Sequence, residues 1–213
     1  MGGMHSWTVS NGVVMTKNRL EAFSDGMFAI ILTILVLELH VPELENGSLS
    51  VFSEALKTIA PKFLAFLFSF FILAIFWVNH HHIVHQIVKV DSKLLWLNNA
   101  LLFSASLFPF LTAFIGDYPD NPFVVALYPI NMALSSVILG AFWKYAFVDT
   151  DLAPNNLTME QKRKRINQDR MAGLINLASA ALGFVWLPIT YAVIMGMPFL
   201  FIIPELMSNT REE

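Results

Sequence analysis

Six long apolar stretches are the feature that most limits the folds open to this chain. A membrane-spanning α-helix needs about 20 predominantly apolar residues, because the hydrocarbon core of a bilayer is about 30 Å thick. The stretches are residues 22–39, 63–78, 94–115, 123–147, 171–187 and 189–203. The chain is 56% hydrophobic and 14% charged, which leaves too few polar side chains for the surface of a soluble domain. The sequence therefore predicts an all-α membrane protein with six transmembrane helices.

The last two stretches are separated by an argument about length. Residues 171–203 carry no charge, yet one helix of that length would extend about 50 Å at about 1.5 Å per residue. Such a helix is far longer than the apolar core of a bilayer. Pro188 lacks an amide hydrogen and disfavours helix in the residue before it, so we expect the chain to turn back there.

Basic residues fix the predicted orientation. Lysine and arginine are enriched in cytoplasmic connections of membrane proteins. They precede span 1, lie between spans 2 and 3, and lie between spans 4 and 5, as Lys17, Arg19, Lys89, Lys93 and residues 144–170. Acidic residues dominate the loops after spans 1 and 3, as Glu43, Glu45, Glu54, Asp117 and Asp120, with Lys57 and Lys62 as the only basic ones. Both termini are thus predicted to be cytoplasmic.

The chain is predicted to form a single membrane domain. Residues 1–18 form an N-terminal tail, residues 19–206 the six-helix transmembrane domain, and residues 207–213 a C-terminal tail. A helix in the connection between spans 4 and 5 is expected to begin at Thr158, because Thr158 and Gln161 have the spacing of a capping box. The net charge of −3 says little, because the placement of charge matters more than its sum in a membrane protein. Lipid is the expected partner of so apolar a chain, and nucleic acid is not an expected partner.

Polar residues are scarce within the spans, and span 1 carries the most informative ones. Asp25 lies near one end and Glu38 near the other, and Thr33 is the only polar residue between Gly26 and Glu38. An apolar stripe repeats beside Thr33 at helical spacing, formed by Met27, Ile30, Ile34 and Leu37. By itself such a stripe is more often core or lipid contact than pore lining.

A second polar cluster ends span 2 and begins span 3. It contains Trp77, Asn79, His80, His81, His82, His85, Asn98 and Asn99. Asp25 is predicted to lie at the same level, where Arg19 or a histidine would neutralise it. His81 and His85 have the spacing of two metal ligands on one helix face, but no carboxylate joins them in the sequence. No metal site is therefore predicted.

These residues in this order resemble the transmembrane protein 175 family of potassium channels, in its prokaryotic single-repeat form. Span 1 opens with Arg19 followed by Phe23, Ser24 and Asp25, which is the signature of the family. The resemblance is reinforced in spans 2 and 3 by Trp77, His80, His81, Asp91, residues 94–98 and Pro109.

The resemblance implies a homotetramer in which the first span of each subunit lines a central pore. Carried over by position, Ile30 forms the hydrophobic constriction, Thr33 is a hydroxyl-bearing position, and Ile34 and Leu37 line the same side. A bracing network holds the pore helix and comprises Arg19, Phe23, Ser24, Asp25, Trp77, His81 and Asn98. The implied function is a channel weakly selective for potassium over sodium, with permeant K⁺ and no other cofactor.

Three other classes of function remain open from the residues. A secondary transporter of small cations or protons is the main alternative, although mid-membrane charges and paired broken helices are missing. A membrane metalloenzyme would rest on the histidines alone, and we predict no enzymatic activity. A non-conducting scaffold would show no flux. The expected location is the plasma membrane as a multi-pass protein, or the bacterial inner membrane for a prokaryotic source.

Overall fold

The described residues of a computed structural model, 16–154 and 157–197, contain helices and no strand. Seven helices follow one another within these ranges: α1 Lys17–Ile34, α2 Leu49–Gln86, α3 Ser92–Ser106, α4 Phe108–Asp117, α5 Pro122–Lys144, α6 Met159–Leu182 and α7 Leu187–Met197. A 3₁₀ turn, Leu35–Glu38, extends α1, and a π-helical turn, Tyr145–Asp149, extends α5. The all-α prediction is confirmed for this part of the chain.

Four helical segments in the described ranges are long and apolar enough to cross a membrane. They are Lys17–Glu38, Leu49–Gln86, Ser92–Asp117 and Pro122–Asp149, which correspond to the first four predicted spans. The apolar helix α7 is shorter, and the end of the predicted sixth span, residues 198–203, lies outside the described residues. The protein is therefore a multi-pass membrane protein.

Helix α2 begins earlier than the sequence indicates. It starts at Leu49, so Glu54, Lys57 and Lys62 are helical rather than part of a loop. The Ser48 hydroxyl accepts a hydrogen bond from the Val51 amide at 3.4 Å, which caps the helix at that point. At about 1.5 Å per residue, the helix is about 57 Å long and extends beyond any apolar bilayer core unless it is strongly tilted.

The third predicted span is interrupted. It was expected to be continuous over residues 94–115, but α3 ends at Ser106 and α4 begins at Phe108. Pro109 stands in the first turn of α4, where its missing amide hydrogen leaves no helical bond unmade. In the interior of one longer helix it would have removed a bond and clashed with the preceding turn.

The predicted turn between the last two helices is placed differently. Helix α6 begins after Thr158 with both halves of the expected capping box, and then continues through the predicted start of span 5 to Leu182. The chain turns over residues 183–186 rather than at Pro188, which lies in the first turn of α7. All four turn amides donate hydrogen bonds to carbonyls at the end of α6. Thr190 of α7 also donates to the Ser179 carbonyl at 2.7 Å.

Helix α5 lies at the centre of the molecule, against α3, α4 and α6. Lipid tails are as apolar as leucine, so hydrogen bonds and close packing between helices become important for specificity in a membrane protein. Ser104 of α3 lies 2.7 Å from Ser135 of α5 and donates to the Asn131 side chain at 3.0 Å. Tyr128 of α5 donates to Ser69 of α2 at 2.8 Å. These bonds fix the frame against which α1 packs.

Candidate pore-lining helix and its polar network

Helix α1 has two distinct faces. One face packs against the rest of the chain and contains Leu20, Ser24, Phe28, Ile31 and Leu35, all buried. Their spacings of three and four residues place them on one side of the helix. They contact α2, α3 and α4, so this side holds α1 on the frame, and no other described residue covers the opposite side.

The opposite face carries all four predicted pore residues. Ile30 is 55% exposed, Ile34 38% and Leu37 70%, and Thr33 is exposed between them. Met27 differs from these residues, because it is half-buried and packs against the core. Ile30, Thr33, Ile34 and Leu37 therefore form one exposed surface that is apolar except for the Thr33 hydroxyl group.

Thr33 has a defined hydroxyl orientation. Its Oγ1 donates to the Ile30 carbonyl at 2.8 Å. Because that bond uses the only hydroxyl proton, the lone pairs of the oxygen remain available on the exposed face. Thr33 can thus present an acceptor to a cation without breaking the helix.

Asn98 is the centre of the polar network behind α1. It is fully buried on α3. Its Oδ1 lies 2.7 Å from Nε2 of His80 and 3.1 Å from the Ser24 hydroxyl, so one side chain joins α1, α2 and α3. The Phe28 and Phe142 rings lie on His80 at centroid distances of 5.7 and 5.6 Å, so aromatic rings flank this junction.

The histidine in this junction is His80, whereas the sequence assigned His81 to the network. His80 shares the buried face of α2 with Leu73 and Val84, and that spacing of seven and four residues is the signal that sequence reasoning missed. His81 lies one position further round the helix, where its ring is 5.8 Å from that of Trp77.

Asp25 and Trp77 form a second link between α1 and α2. The indole Nε1 donates to Asp25 Oδ1 at 2.8 Å, in a half-buried setting. Of the other predicted network members, Phe23 and Arg19 are exposed on α1, and neither side chain makes a hydrogen bond or ion pair with another described residue. Their bracing roles remain predictions.

A double-mutant cycle tests the link between Asp25 and Trp77. Asp25→Ala removes the acceptor, and Trp77→Phe keeps an aromatic ring but removes the donor. We expect a coupling free energy of about 0.5–1.5 kcal/mol, the range for hydrogen bonds between membrane helices. Thermal unfolding in detergent measures it, and two additive single effects would contradict the link. Cross-linking of the Asp25 variant would also reveal whether assembly is impaired.

The family is identified by sequence. The sequence profile described as "Endosomal/lysosomal potassium channel TMEM175" matches residues 19–109, the part that holds α1, the polar network and Pro109. A potassium channel of Chryseobacterium sp. (strain P1-3) is 47% identical over 125 residues, which are 58% of this chain and 61% of that protein. A potassium channel of Chamaesiphon minutus is 30% identical over 186 residues, which are 85% of this chain and 92% of the relative.

The fold gives the same result. A solved crystal structure, that of a lysosomal potassium-selective channel TMEM175 homolog from Chamaesiphon minutus, superposes with a TM-score of 0.77 at 28% identity. The superposition covers 88% of this chain and 97% of the homolog. The human endosomal/lysosomal proton channel TMEM175 is 32% identical over 114 residues, which are only 20% of its length. The match of fold, signature residues and near full-length relatives establishes that this chain belongs to the TMEM175 family.

Proposed function

We propose that this chain is one of four identical subunits of a cation channel that favours potassium weakly over sodium. Helix α1 of each subunit lines a central pore, with Ile30 at the constriction. The observation that carries the proposal is the face of α1 that no other described residue covers, where Ile30, Ile34 and Leu37 are exposed beside Thr33. The polar network on its other face would hold four such helices at a fixed rotation.

The physics of this pore follows from its lining. Four isoleucine side chains meeting on an axis form a dry constriction, which an ion crosses only when water enters or the side chains withdraw. No cage of oxygens replaces the hydration shell there, so selectivity would come from the easier dehydration of potassium. The Thr33 hydroxyls, one turn further along, would supply a weak oxygen contact.

The proposed orientation places the Arg19 end of α1 in the cytoplasm, as the lysine and arginine distribution favours. Both termini would then be cytoplasmic, with residues 19–206 as the membrane domain between two short tails. The bacterial relatives support a location in the bacterial inner membrane. Surrounding lipid and permeating monovalent cations are the partners of this arrangement.

A proton conductance is the second candidate. Vertebrate relatives that match about half of this chain are named proton channels. A constriction wide enough for a file of water would also pass protons. The two candidates are separated by imposing a pH gradient at symmetric potassium, where a proton conductance shifts the reversal potential and a potassium conductance leaves it at zero.

The direct test is a bi-ionic reversal potential. Purified protein in planar bilayers, with potassium on one side and sodium on the other, should give unitary currents that reverse at a potential favouring potassium. Uptake into vesicles that saturates without unitary currents would contradict the channel and favour a secondary transporter. Silence from correctly folded tetramers would favour a non-conducting scaffold.

Thr33→Val should reduce the preference for potassium. The substitution keeps the shape but removes the oxygen, so we expect the permeability ratio to fall about twofold to fivefold, the equivalent of about 0.4–1 kcal/mol. The bi-ionic reversal potential measures the ratio directly. Thr58→Val is the matched control, because Thr58 is also exposed and donates to a carbonyl of its own helix at 3.0 Å. Equal shifts in both variants would contradict a role for Thr33 in the pore.

A further inference from the structure

Three potential metal ligands converge beside the polar network. Glu21 of α1 lies against His81 and His85 of α2, and each offers one ligand atom within 4.8 Å of the others. The two histidines are one helical turn apart, with ring centroids separated by 6.0 Å. Glu21 and His81 are half-buried and His85 is exposed. The group is therefore open to solvent on one side and supported by protein on the other.

His81 has a buried nitrogen that no other group in the described chain satisfies. Its Nδ1 is enclosed and has no hydrogen-bond partner. The nearest carboxylate oxygen is Oε1 of Glu21, at 3.9 Å, which is too far for a hydrogen bond. The Trp77 ring packs on the other side of the imidazole at 5.8 Å. Other buried polar atoms of the described residues also lack a partner, Nδ1 of His80 among them, but the Nδ1 of His81 lies beside a carboxylate and a second histidine, which together suit a metal ion.

We propose that Glu21, His81 and His85 bind one divalent transition-metal ion, and that zinc is the ion these ligands suit best. Two imidazole nitrogens and one carboxylate oxygen are a ligand set typical of zinc sites with three protein ligands and a water in the fourth position. Calcium and magnesium prefer sites built of oxygen atoms and do not suit two imidazoles. The chain contains no cysteine, so thiolate ligands do not compete.

The geometry requires a small contraction. Ligand atoms that lie about 2.0–2.2 Å from a tetrahedral zinc ion are about 3.3 Å from one another. In this structure the three ligand atoms lie within 4.8 Å of one another, so they must move closer together. Side-chain rotations of the exposed His85 and of Glu21 can supply this change without moving either backbone. Lys17 donates a hydrogen bond to the His85 carbonyl, and its positive charge nearby should limit the affinity to the micromolar range.

The consequence of binding is a metal bridge between α1 and α2. Two ligands belong to one helix and one to the other, so the ion links the helices beside the Asp25–Trp77 bond. The site does not depend on the pore assignment, because its test needs no ion flux. An ion that binds only the folded state also raises the unfolding temperature.

Zinc titration of the purified full chain tests the proposal. The protein is freed of any histidine affinity tag and titrated with zinc chloride in a calorimeter. We expect one zinc per chain at micromolar affinity, a rise in unfolding temperature of several degrees, and no binding of magnesium. His85→Ala should weaken zinc binding at least tenfold, and Glu21→Gln should also weaken it.

The controls separate loss of the site from loss of the fold. His40→Ala removes an exposed histidine beyond the far end of α1 and should leave zinc binding unchanged. His85 is exposed, so the His85→Ala variant should have the same helical circular dichroism signal and the same elution volume as the unsubstituted protein. Absence of saturable zinc binding, or equal affinity in the His85 and His40 variants, would overturn the proposal.

Discussion

Replacing Ile30 by asparagine should raise potassium flux through the protein by at least about tenfold. An isoleucine side chain favours an apolar environment over water by about 1.5–3 kcal/mol, and a barrier lower by about 1.4 kcal/mol raises a rate tenfold. In the proposed tetramer, four amides at the constriction would hold water there and remove the main barrier to a hydrated ion. Discrimination between potassium and sodium should fall at the same time. Flux from potassium-loaded proteoliposomes measures the first effect, and bi-ionic reversal potentials measure the second.

The control for Ile30 is Leu134→Asn. Leu134 lies midway along α5 and is 46% exposed, so it is similar to Ile30 in size and exposure but lies on a different helix. Unchanged flux in the Ile30 variant would show that the exposed face of α1 contacts lipid or another subunit instead of a pore. An equal rise in both variants would show that any polar residue in the membrane makes the vesicles leak.

Asn98→Ala should lower the stability of the protein by about 2–3 kcal/mol. The change removes the acceptor of His80 and leaves that imidazole buried without a partner, which costs about 1–3 kcal/mol. The cavity left by a fully buried side chain adds to the loss. For a chain of this length the unfolding temperature should fall by about 5–10 °C, as measured by thermal unfolding in detergent.

The neighbouring residue provides the control for Asn98. Asn99 is on the same helix and is exposed, so Asn99→Ala should change the unfolding temperature by no more than about 1–2 °C. If the two variants unfold at the same temperature, Asn98 does not join the three helices in the way its contacts indicate. Reduced flux in Asn98→Ala with unchanged stability would point instead to a role in conduction.

Much of the fold could be predicted from the sequence, because helix length and apolar content are fixed by the bilayer. The first four spans, the start of α6 at its capping box and the membership of the TMEM175 family were all predicted. The ends of the helices were not. Helix α2 begins at Leu49, where polar and apolar residues mix, and the third span is broken before Pro109. In both places local capping and proline geometry outweighed average hydropathy.

The exposed face of α1 and its polar network were predicted only in part, because residue spacing along one helix does not reveal which residues of other helices contact it. The apolar stripe of α1 could be read at helical spacing, and the structure leaves Ile30, Thr33, Ile34 and Leu37 together on its exposed face. Which histidine meets Asn98 depends on the rotation of α2 about its own axis. The approach of Glu21 to His81 joins residues that are far apart in the chain, and spacing along the chain does not reveal which carboxylate reaches the histidines.

The turn at residues 183–186 bears on how the last two helices enter the membrane during synthesis. The part of α6 that follows Arg170 is about 18 Å long at about 1.5 Å per residue, which is shorter than the apolar core of a bilayer. In the proposed orientation, with Arg170 at the cytoplasmic surface, the turn that follows would stop short of the far surface, among acyl chains or neighbouring helices. Its four amides all have carbonyl acceptors, so lipid surroundings leave none of these donors unpaired. Because this part of α6 is too short to reach the far side by itself, we expect α6 and α7 to enter the membrane together, as one hairpin.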